Sequence, residues 1–495
     1  MLRRNPTLST MFWLIIAIIT VSPLYSQDDY QEWLKKQSAG YQEYKLKEDE
    51  QFSAFLKAEW ENLNAFNGIM PDKVPKPVKI PTYEPPKGKA TPKPPPVTKP
   101  IRPPNIPKPK PALESSKIEA TKPAKLKNGK SLKVQFLGIQ LDFEIDSKMA
   151  SRPRGAIDKQ FVSDYWENIT GADYAAPLKQ AMYYRQQLEL NDWGYGLLLK
   201  RLGETIYGTD DNLVDLFTWF MLLKSGYDAK VGFSSDKIIL LLSSDDEIYS
   251  TSFFKSDGSE RRYYTIAFGE APDNNQSSLN IYKGNYAGSH ALMDFSVRKV
   301  PTLNTILTDR VLKFSYKGTK YSVATVANKD IVELYRYYPL TPMSVFFNAT
   351  VSPSVDYRLL SSLKELIKGQ SEAEAVNMLL RFVQTAFAYQ TDDEQFGREK
   401  YLIPDETLFY SYCDCEDRSI LFAHLVRKLV GVPVIGLDYP GHIATAVNFT
   451  GDVTGDAVQY RDRRYVICDP TYINADIGMV MPQFKEVSPI LIGLP

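Results

Sequence analysis

Apolar residues recur at every third or fourth position between residues 415 and 430, which predicts a helix with one buried face. The apolar members of this stretch are Ile420, Leu421, Phe422, Leu425, Val426, Leu429 and Val430. Asp414 precedes it as a candidate N-cap, and Arg427 and Lys428 lie near its end, where cations complement the helix dipole. The pattern therefore places Cys415 in the first turn of the predicted helix.

Alternating positions after this helix predict β-strands. Ala444–Phe449 begins just after His442, and Arg464–Cys468 ends just before Asp469. We interpret the two segments as antiparallel strands joined by the loop 451–462. This arrangement predicts that Asp469 lies close to His442, at the end of a strand.

The residues ahead of the cysteine predict helices and a loop. Leu359–Phe387 is apolar at helical spacing and is broken at Lys368–Ser371, where Ser371 is a suitable N-cap for the second helix. Gln395–Thr407 is predicted to be a loop over the cleft that precedes the cysteine.

Residues 126–340 also alternate between strand-like and helix-like patterns. We predict a strand over 131–143, helices over 157–202 and a β-rich stretch over 250–326. Tyr338–Pro342 is rich in proline and marks the predicted boundary of this mixed module.

Part of the mixed module repeats the carboxy-terminal pattern at a shift of 205 residues, which carries Gly226 onto Gly431. An apolar helix, a glycine and two strands coincide, so we interpret the match as an internal duplication, with coincidence as the alternative. In this alignment Asp210 takes the place of the cysteine and Lys237 that of the histidine. Such a copy would be degenerate, because it has no thiol.

The amino-terminal residues lack the pattern of a large core. Residues 1–26 combine two arginines with an apolar stretch at 11–21, which is typical of a cleaved secretory signal; a retained membrane anchor is the alternative. Residues 27–70 predict a helical segment with one apolar stripe. Residues 71–125 hold 17 of the 33 prolines and many lysines, and predict a disordered, extended linker. This linker is either a plain tether or a spacer that contacts cell-wall polymer.

Composition narrows the classes of partner. The chain has 59 basic and 59 acidic residues, so no overall field favours nucleic acid. Its 495 residues, 43% of them apolar, suggest two or three domains. The three cysteines and three histidines show no zinc-site spacing, so neither a metal nor another cofactor is expected.

Only one histidine is well placed to act as a base. His424 follows Cys415 on the same predicted helix, on roughly the opposite face and about 13 Å along the axis, so we interpret it as a packing residue. His290 lies in a turn-like stretch far upstream. His442 begins a strand and is the candidate base, with a structural histidine as the alternative. Asp469 is the candidate acid that orients it, or simply the first residue of an Asp-Pro-Thr turn.

Two opposing effects act on the candidate nucleophile. The start of a helix favours a thiolate at Cys415, whereas the neighbouring carboxylates oppose it, so a cationic partner such as an imidazolium is expected. Export would place the protein in an oxidising compartment, where three cysteines suit one free thiol and one bridge. Cys413 and Cys468 are the pair considered for that bridge.

The order of these motifs resembles the core of the bacterial transglutaminase-like superfamily. The matching segments are Asp414–Ser419, Gly431–Pro433, Gly441–His442 and Asp469–Thr471. The resemblance covers Tyr357–Val480, about a quarter of the chain, and implies a papain-like module. It also implies that Cys415 is the nucleophile, His442 the general base and acid, and Asp469 the orienting acid.

One departure and one ambiguity qualify what the resemblance implies. Many relatives have a glycine two residues before the nucleophile, where this chain has Cys413. The superfamily also includes amide hydrolases and inactive members, so the resemblance does not fix the reaction.

We therefore expect an exported α+β protein with a mixed module over 126–340 and a transglutaminase-like module over 341–495. The expected reaction is thiol acyl transfer on an amide of a peptide, protein or peptidoglycan-type substrate, and hydrolysis is favoured over cross-linking because water is always present. The oxyanion donors would include the backbone N–H of Cys415 and the side chain of Gln384 or Gln395. The alternative is a non-catalytic scaffold or binding protein of the periplasm or cell envelope.

Overall fold

Two antiparallel β-sheets and the helices that pack against them make up most of the structure, a computed structural model that describes residues 45–71, 74–85, 100–108, 126, 129–256, 258–271, 277–303 and 307–493. The expected mixed α+β class is therefore confirmed. The predicted signal at 1–26 lies outside the described residues. Within the described part, no helix has the length and apolar character needed to cross a bilayer.

The chain forms two units, Met1–Phe55 and Leu56–Pro495. In the first unit the described residues, 45–55, are helical. The sheets, hairpins and sites described below belong to the second unit.

The amino-terminal half of the second unit contains a hairpin, four helices and a six-stranded sheet in the order β1-β8-β4-β5-β7-β6. Its elements are β1 Trp60–Asn64, β2 Gly129–Phe136, β3 Ile139–Asp146, α1 Lys159–Thr170, α2 Ala175–Gln187, α3 Asp192–Tyr207, α4 Asp211–Lys224, β4 Ala229–Ser234, β5 Lys237–Ser243, β6 Phe253–Phe254, β7 Tyr263–Thr265 and β8 Ser278–Tyr282.

The carboxy-terminal half contains a second hairpin, further helices and a five-stranded sheet in the order β15-β16-β14-β13-β17. Its elements are β9 Leu307–Tyr316, β10 Thr319–Asn328, α5 Lys329–Tyr335, α6 Met343–Phe347, α7 Pro353–Ile367, α8 Glu372–Ala386, β11 Ala388–Tyr389, α9 Asp392–Phe396, α10 Pro404–Phe409, β12 Tyr412–Cys413, α11 Cys415–Leu429, β13 Val434–Tyr439, β14 His442–Val447, β15 Ala457–Tyr460, β16 Arg463–Cys468 and β17 Ile490–Ile492. The hairpin β9–β10, which the sequence interpretation assigned to the mixed module, packs on α7 and α8 of this half.

The two halves share their strand connections. Apart from β1, the orders β8-β4-β5-β7-β6 and β17-β13-β14-β16-β15 follow the same path through the sheet. The β4–β5 hairpin pairs Ala229 with Leu242, and the β13–β14 hairpin pairs Val434 with Val447, so the register is the same at a shift of 205 residues. This match supports the predicted duplication, which as a statement about ancestry stays a prediction.

The shift between the halves is not constant. It is 180 residues from the start of α3 to that of α8 (372 − 192) and 204 from the start of α4 to that of α11 (415 − 211). The carboxy-terminal half therefore has 24 more residues between the starts of these two helices (204 − 180). We call residues 388–413 the insertion; it contains β11, α9, α10 and β12. Asp210 and Asp414 are both N-caps, so Asp211, and not Asp210, corresponds to Cys415.

The predicted helices around the site are confirmed with their caps. Ser371 precedes α8, and its side chain accepts a hydrogen bond from the Glu374 N–H at 3.3 Å. Asp414 precedes α11, and its own N–H donates to Asp417 Oδ2 at 3.3 Å. Gln395–Thr407 is only partly a loop, because α9 ends and α10 begins within it.

Two strand predictions needed correction. The alternation over 131–143 belongs to the hairpin β2–β3, because Leu137 and Gly138 both have positive φ, as a two-residue turn requires. Trp60 falls within residues 27–70, which were predicted to be helical, but it lies on β1 and pairs with Tyr282 of β8. The helix ends at residue 58. The prediction failed because an apolar residue at helical spacing can equally lie on a strand at the edge of a sheet.

Two described segments of the predicted linker contact the carboxy-terminal half. The N–H of Tyr83 donates to Ile473 O at 2.7 Å, and the N–H of Ile101 donates to Gln370 O at 2.9 Å. Over these segments the proline-rich stretch is therefore part of the folded unit and is not a free spacer.

Candidate thiol site

Cys415 is the first residue of α11, as predicted, and its side chain is fully buried. The N–H of Ile443, the residue after His442, donates to Cys415 Sγ at 3.4 Å. Ser419, one turn along α11, donates through its hydroxyl to Ile443 O at 3.0 Å. The helix that carries the thiol is therefore bonded on both sides of Ile443 to the strand that carries the histidine.

His442 and Asp469 form a buried pair. Nε2 of His442 lies 2.9 Å from Oδ2 of Asp469, and both side chains are 2% exposed. An ionised carboxylate only accepts, so Nε2 carries the proton and Nδ1 presents a lone pair. Within the described residues, Nδ1 has no hydrogen-bond partner. The ring of Phe484 stacks on the imidazole at 5.3 Å between centroids, which holds its plane.

Asp469 has both of the roles considered for it. While Oδ2 faces the imidazole, Oδ1 accepts the N–H groups of Thr471 at 2.9 Å and Tyr472 at 3.0 Å. The Asp-Pro-Thr turn thus orients the carboxylate that orients His442. The predicted meeting of β14 and β16 is also confirmed, because Thr445 pairs with Cys468.

Gln384 supports this turn and is not an oxyanion donor. Its side-chain NH₂ donates to Asp469 O and to Ala475 O, both at 3.0 Å. Since both N–H groups are used, the suggestion that Gln384 stabilises an oxyanion is wrong. The suggestion for Gln395, on α9, stays a prediction.

The resting thiol is neutral. Burial raises the pKa of Cys415 well above its ordinary value, and the carboxylates of Glu416 and Asp414 raise it further. Lys76 and the Ile443 N–H oppose this rise but do not reverse it. In keeping with a protonated sulfur, Cys415 donates to Glu416 Oε2 at 3.2 Å. Burial is thus the main reason that the thiol keeps its proton, and the neighbouring acids act in the expected direction.

An acidic pocket adjoins the thiol and contains the ammonium of Lys76. This nitrogen lies 3.2 Å from Asp414 Oδ2, 2.5 Å from Glu399 Oε1 and 3.7 Å from Asp392 Oδ2, and it also contacts Glu416. Burial alone would lower the pKa of Lys76, but the carboxylates outweigh burial and hold that pKa well above its ordinary value. Lys76 is therefore a charged residue, although only 8% of its side chain is exposed.

The same carboxylates are the residues that could hold a metal. Oxygens of Asp392, Asp414 and Asp417 lie within 4.8 Å of one another, and so do those of Asp392, Glu399 and Glu416. An all-oxygen set of this kind suits Ca²⁺ or Mg²⁺. The cation in the pocket is, however, a lysine of the chain itself.

Sequence reasoning missed this pocket. The acids at 414, 416 and 417 were visible as a run, but Asp392 and Glu399 come from the insertion. Lys76 stands in the proline-rich stretch among many similar Lys-Pro pairs, and nothing local distinguishes it from them.

The remaining cysteines and histidines have structural positions. Cys413 and Cys468 are buried free thiols, so the bridge considered between them is absent from the described chain, which includes all three cysteines. Burial raises the pKa of Cys413 to about 12. His424 packs on α7 through Asp356 at 2.7 Å, as expected of a packing residue, and His290 is exposed.

Comparison of the chain with protein-family profiles, curated proteins and solved structures gives no match. The functional interpretation therefore rests on the geometry of the site.

Proposed function

We propose that the protein is an exported thiol acyl-transfer enzyme that hydrolyses peptide or amide bonds through Cys415, His442 and Asp469, on a transglutaminase-like module. The observation that supports this most directly is the buried His442–Asp469 pair. Nδ1 of His442 has no hydrogen-bond partner within the described residues, and the next residue, Ile443, donates its N–H to the sulfur of Cys415. Nucleophile, base and orienting acid are the three parts of covalent acyl transfer.

The reaction begins with transfer of the thiol proton to His442 Nδ1. Cys415 Sγ bonds to the carbonyl carbon, and the backbone N–H of Cys415, at the start of α11, faces the developing oxyanion. The imidazolium then gives its proton to the leaving amine as the C–N bond breaks, which leaves a thioester. Water, deprotonated by Nδ1, attacks that thioester and releases a carboxylic acid and the free thiol.

The environment of the thiol determines when its proton moves. Because burial, Glu416 and Asp414 raise the pKa of Cys415, the resting site stores no thiolate. Proton transfer to His442 must therefore accompany attack, and Asp469 stabilises the imidazolium that forms.

The same observation favours a second candidate. A fully buried, neutral thiol is also what a non-catalytic scaffold or binding protein of the cell envelope would retain. In that case Cys415 would be inert whatever covers it.

The test uses p-nitrophenyl acetate, a small acyl donor. Wild type and Lys76→Met, which removes the ammonium beside the thiol, should release nitrophenolate and carry an acetyl group on the peptide that contains Cys415, as seen by mass spectrometry. Cys415→Ala should carry none, and Cys413→Ala, which removes a neighbouring buried thiol, should behave as wild type. If neither wild type nor Lys76→Met acylates Cys415, the scaffold is the correct assignment.

Export is tested separately. Expression of the full chain in a bacterial host should yield a mature protein that starts at Gln27, after the predicted signal. An intact amino terminus in the cytoplasm would contradict export.

A further inference from the structure

Residues 74–85, which we call the strap, pass over the candidate thiol site. At one end they lie against Gly441, the residue before His442. A Cβ atom on Gly441 would stand 3.0 Å from both Pro75 O and Val74 Cγ1. The hydroxyl of Tyr389 donates to Pro77 O at 2.8 Å. Between these contacts the side chain of Lys76 enters the acidic pocket.

The other end of the strap pairs with the backbone beyond Asp469. The N–H of Tyr83 donates to Ile473 O at 2.7 Å, and the N–H of Ile473 donates to Pro81 O at 3.1 Å. The ring of Tyr83 meets that of Tyr472 edge-on, with 6.1 Å between centroids. The strap thus contacts residues next to Cys415 and His442 in the chain, and residues three and four positions after Asp469.

The pocket that receives Lys76 is assembled for a single cation. Asp414 and Glu416 flank Cys415 in the chain, while Asp392 and Glu399 come from the insertion, which the amino-terminal half lacks. The ring of Tyr401 lies 5.8 Å from the ammonium and adds a cation–π contact. Asp414 Oδ1 is buried and has no hydrogen-bond partner within the described residues, so the pocket keeps an acceptor that Lys76 does not use.

We propose that the strap occupies the groove in which this site binds an extended polypeptide, and that Asp392, Glu399, Asp414 and Glu416 form a subsite for a primary ammonium side chain. The inference rests on the proposed function and names its substrate class: peptides with a lysine-like residue next to the bond that is cleaved. Pairing of an extended segment with exposed main-chain groups is a common way of binding peptides, with a side-chain pocket for specificity.

The strap, whose Lys76 contacts Asp414 and Glu416 on either side of Cys415, also restricts access to the thiol. It is part of the same chain, so its effective concentration at the groove is high and the closed state is the resting state. A substrate has to displace the strap before it reaches Cys415, and a lysine-bearing peptide competes for the same carboxylates.

The test measures binding, not catalysis, in the full chain with Cys415→Ala. The probe is a fluorescein-labelled peptide with the sequence of residues 74–85, and the control peptide has norleucine in place of Lys76. Lys76→Met frees the subsite, whereas Lys79→Met removes an exposed lysine of the strap that forms no ion pair within the described residues. Fluorescence anisotropy measures the dissociation constants. The Lys76→Met variant should bind the probe at least about 10-fold more tightly than the Lys79→Met variant does. The Lys76→Met variant should also bind the probe at least about 10-fold more tightly than it binds the norleucine peptide.

Two further measurements keep the test decisive. Tyr83→Pro removes the N–H that pairs with Ile473 and leaves the pocket untouched, so it should also increase probe binding if Lys76→Met does not fold. n-Butylamine should displace the probe. Equal binding by Lys76→Met and Lys79→Met, equal binding of the two peptides, or displacement by Ca²⁺ but not by the amine would each overturn the proposal. Because the variants lack the thiol, failure of binding leaves the acyl-transfer proposal standing. Failure of acylation with normal probe binding would leave a peptide-binding groove with an ammonium subsite, but would remove the cleaved bond from the inference.

Discussion

The corner where a helix begins beside a β-hairpin differs in chemistry between the two halves of the molecule. In the carboxy-terminal half this corner presents a thiol, an imidazole and a carboxylate. Equivalent positions in the two halves follow from three features. The N-caps match, and the two hairpins have the same register. In the next strand, the N–H of Ile266 donates to Leu240 O, which corresponds to the pairing of Cys468 with Thr445. The pairs are Cys415 with Asp211, His442 with Lys237, and Asp469 with Ala267.

In the amino-terminal half the corner is an open, charged cavity. It has a volume of about 110 Å³ and is lined by Asp211 and Lys237 together with Lys200, Asp215 and Glu270. None of these lining side chains is a thiol or an imidazole. The shared topology provides the same corner in both halves, but only the carboxy-terminal corner carries the thiol, imidazole and carboxylate that the proposed acyl transfer needs.

The largest expected difference between the halves is catalytic. His442→Ala should lower the rate constant for nitrophenolate release from p-nitrophenyl acetate by about 10³-fold, because it removes the base. Lys237→Ala, the matching change, should leave that rate within about twofold. Stopped-flow absorbance measures both. A comparable loss in Lys237→Ala would mean that the amino-terminal corner takes part in the reaction.

The next largest effect concerns the insertion that only the carboxy-terminal half has. Lys400 and Glu406 form an ion pair at 2.6 Å with 2% and 1% of their side chains exposed, and burial raises the pKa of Glu406 while Lys400 lowers it. Lys400→Met removes the ammonium from this buried carboxyl and leaves it the N–H of Ile403 at 3.4 Å, so we expect the free energy of unfolding to fall by about 3–5 kcal/mol in urea titrations.

The matched control for Lys400→Met is the double variant that also carries Glu406→Leu. It should recover at least half of the loss, because no buried charge then remains. A loss of less than about 1 kcal/mol in the single variant would show that the ion pair is not what holds the insertion.

The third prediction concerns how the stability of the amino-terminal corner depends on pH. Burial raises the pKa of Asp215 to about 7, partly offset by Lys200. A carboxyl that holds its proton more tightly when folded stabilises the protein fully below about pH 4, and that contribution is lost as pH rises to about 7. Asp215→Asn should therefore be more stable than wild type by on the order of 1–3 kcal/mol at about pH 8, with less difference at about pH 4.

Urea titrations across this pH range measure the effect of Asp215→Asn. Asp236→Asn, in the exposed turn between β4 and β5, is the control and should show no gain that grows with pH. A pH-independent difference for Asp215→Asn would place the titrating group elsewhere.

The smallest effect tests the likeness of the two early hairpins. Leu137-Gly138 turns β2 into β3, and Lys317-Gly318 turns β9 into β10, with positive φ at all four residues. Asparagine adopts this conformation more readily than leucine or lysine. Leu137→Asn and Lys317→Asn should therefore each increase the free energy of unfolding by about 0.5–1 kcal/mol, which thermal unfolding detects as a higher midpoint temperature. If one variant were more stable than wild type and the other less stable, the two hairpins would differ in their side-chain contacts although their turns have the same backbone conformation.

Local patterns predicted the elements of the site well. The helix with Cys415 at its start, the strand at His442, the strand that ends before Asp469 and the cap at Ser371 all follow from spacing over a few residues. The turn at Leu137 was missed because a two-residue turn hardly interrupts the alternation of apolar and polar residues, so the two strands look like one. Trp60 was misassigned because one apolar stripe suits both a helix face and a strand edge.

The charged surroundings of the thiol could not be predicted in the same way. Lys76 meets Asp414 across 338 residues of chain. Arg418 is buried, and it donates to the carbonyls of Gln384, on α8, and Phe387, just after that helix. Such contacts carry no local period, since each partner alone looks like an ordinary surface charge.

The sequence by itself determined which residues could react and which short elements carry them, because helix and strand periods, caps and turns are written over a few neighbouring positions. Only the tertiary structure decided that the thiol is buried and neutral, that Nδ1 of His442 is unpartnered, and that a proline-rich stretch crosses the site with Lys76 in an acidic pocket. The physical reason is that burial and ion pairing depend on which distant segments come together, and that is set by the packing of the whole unit.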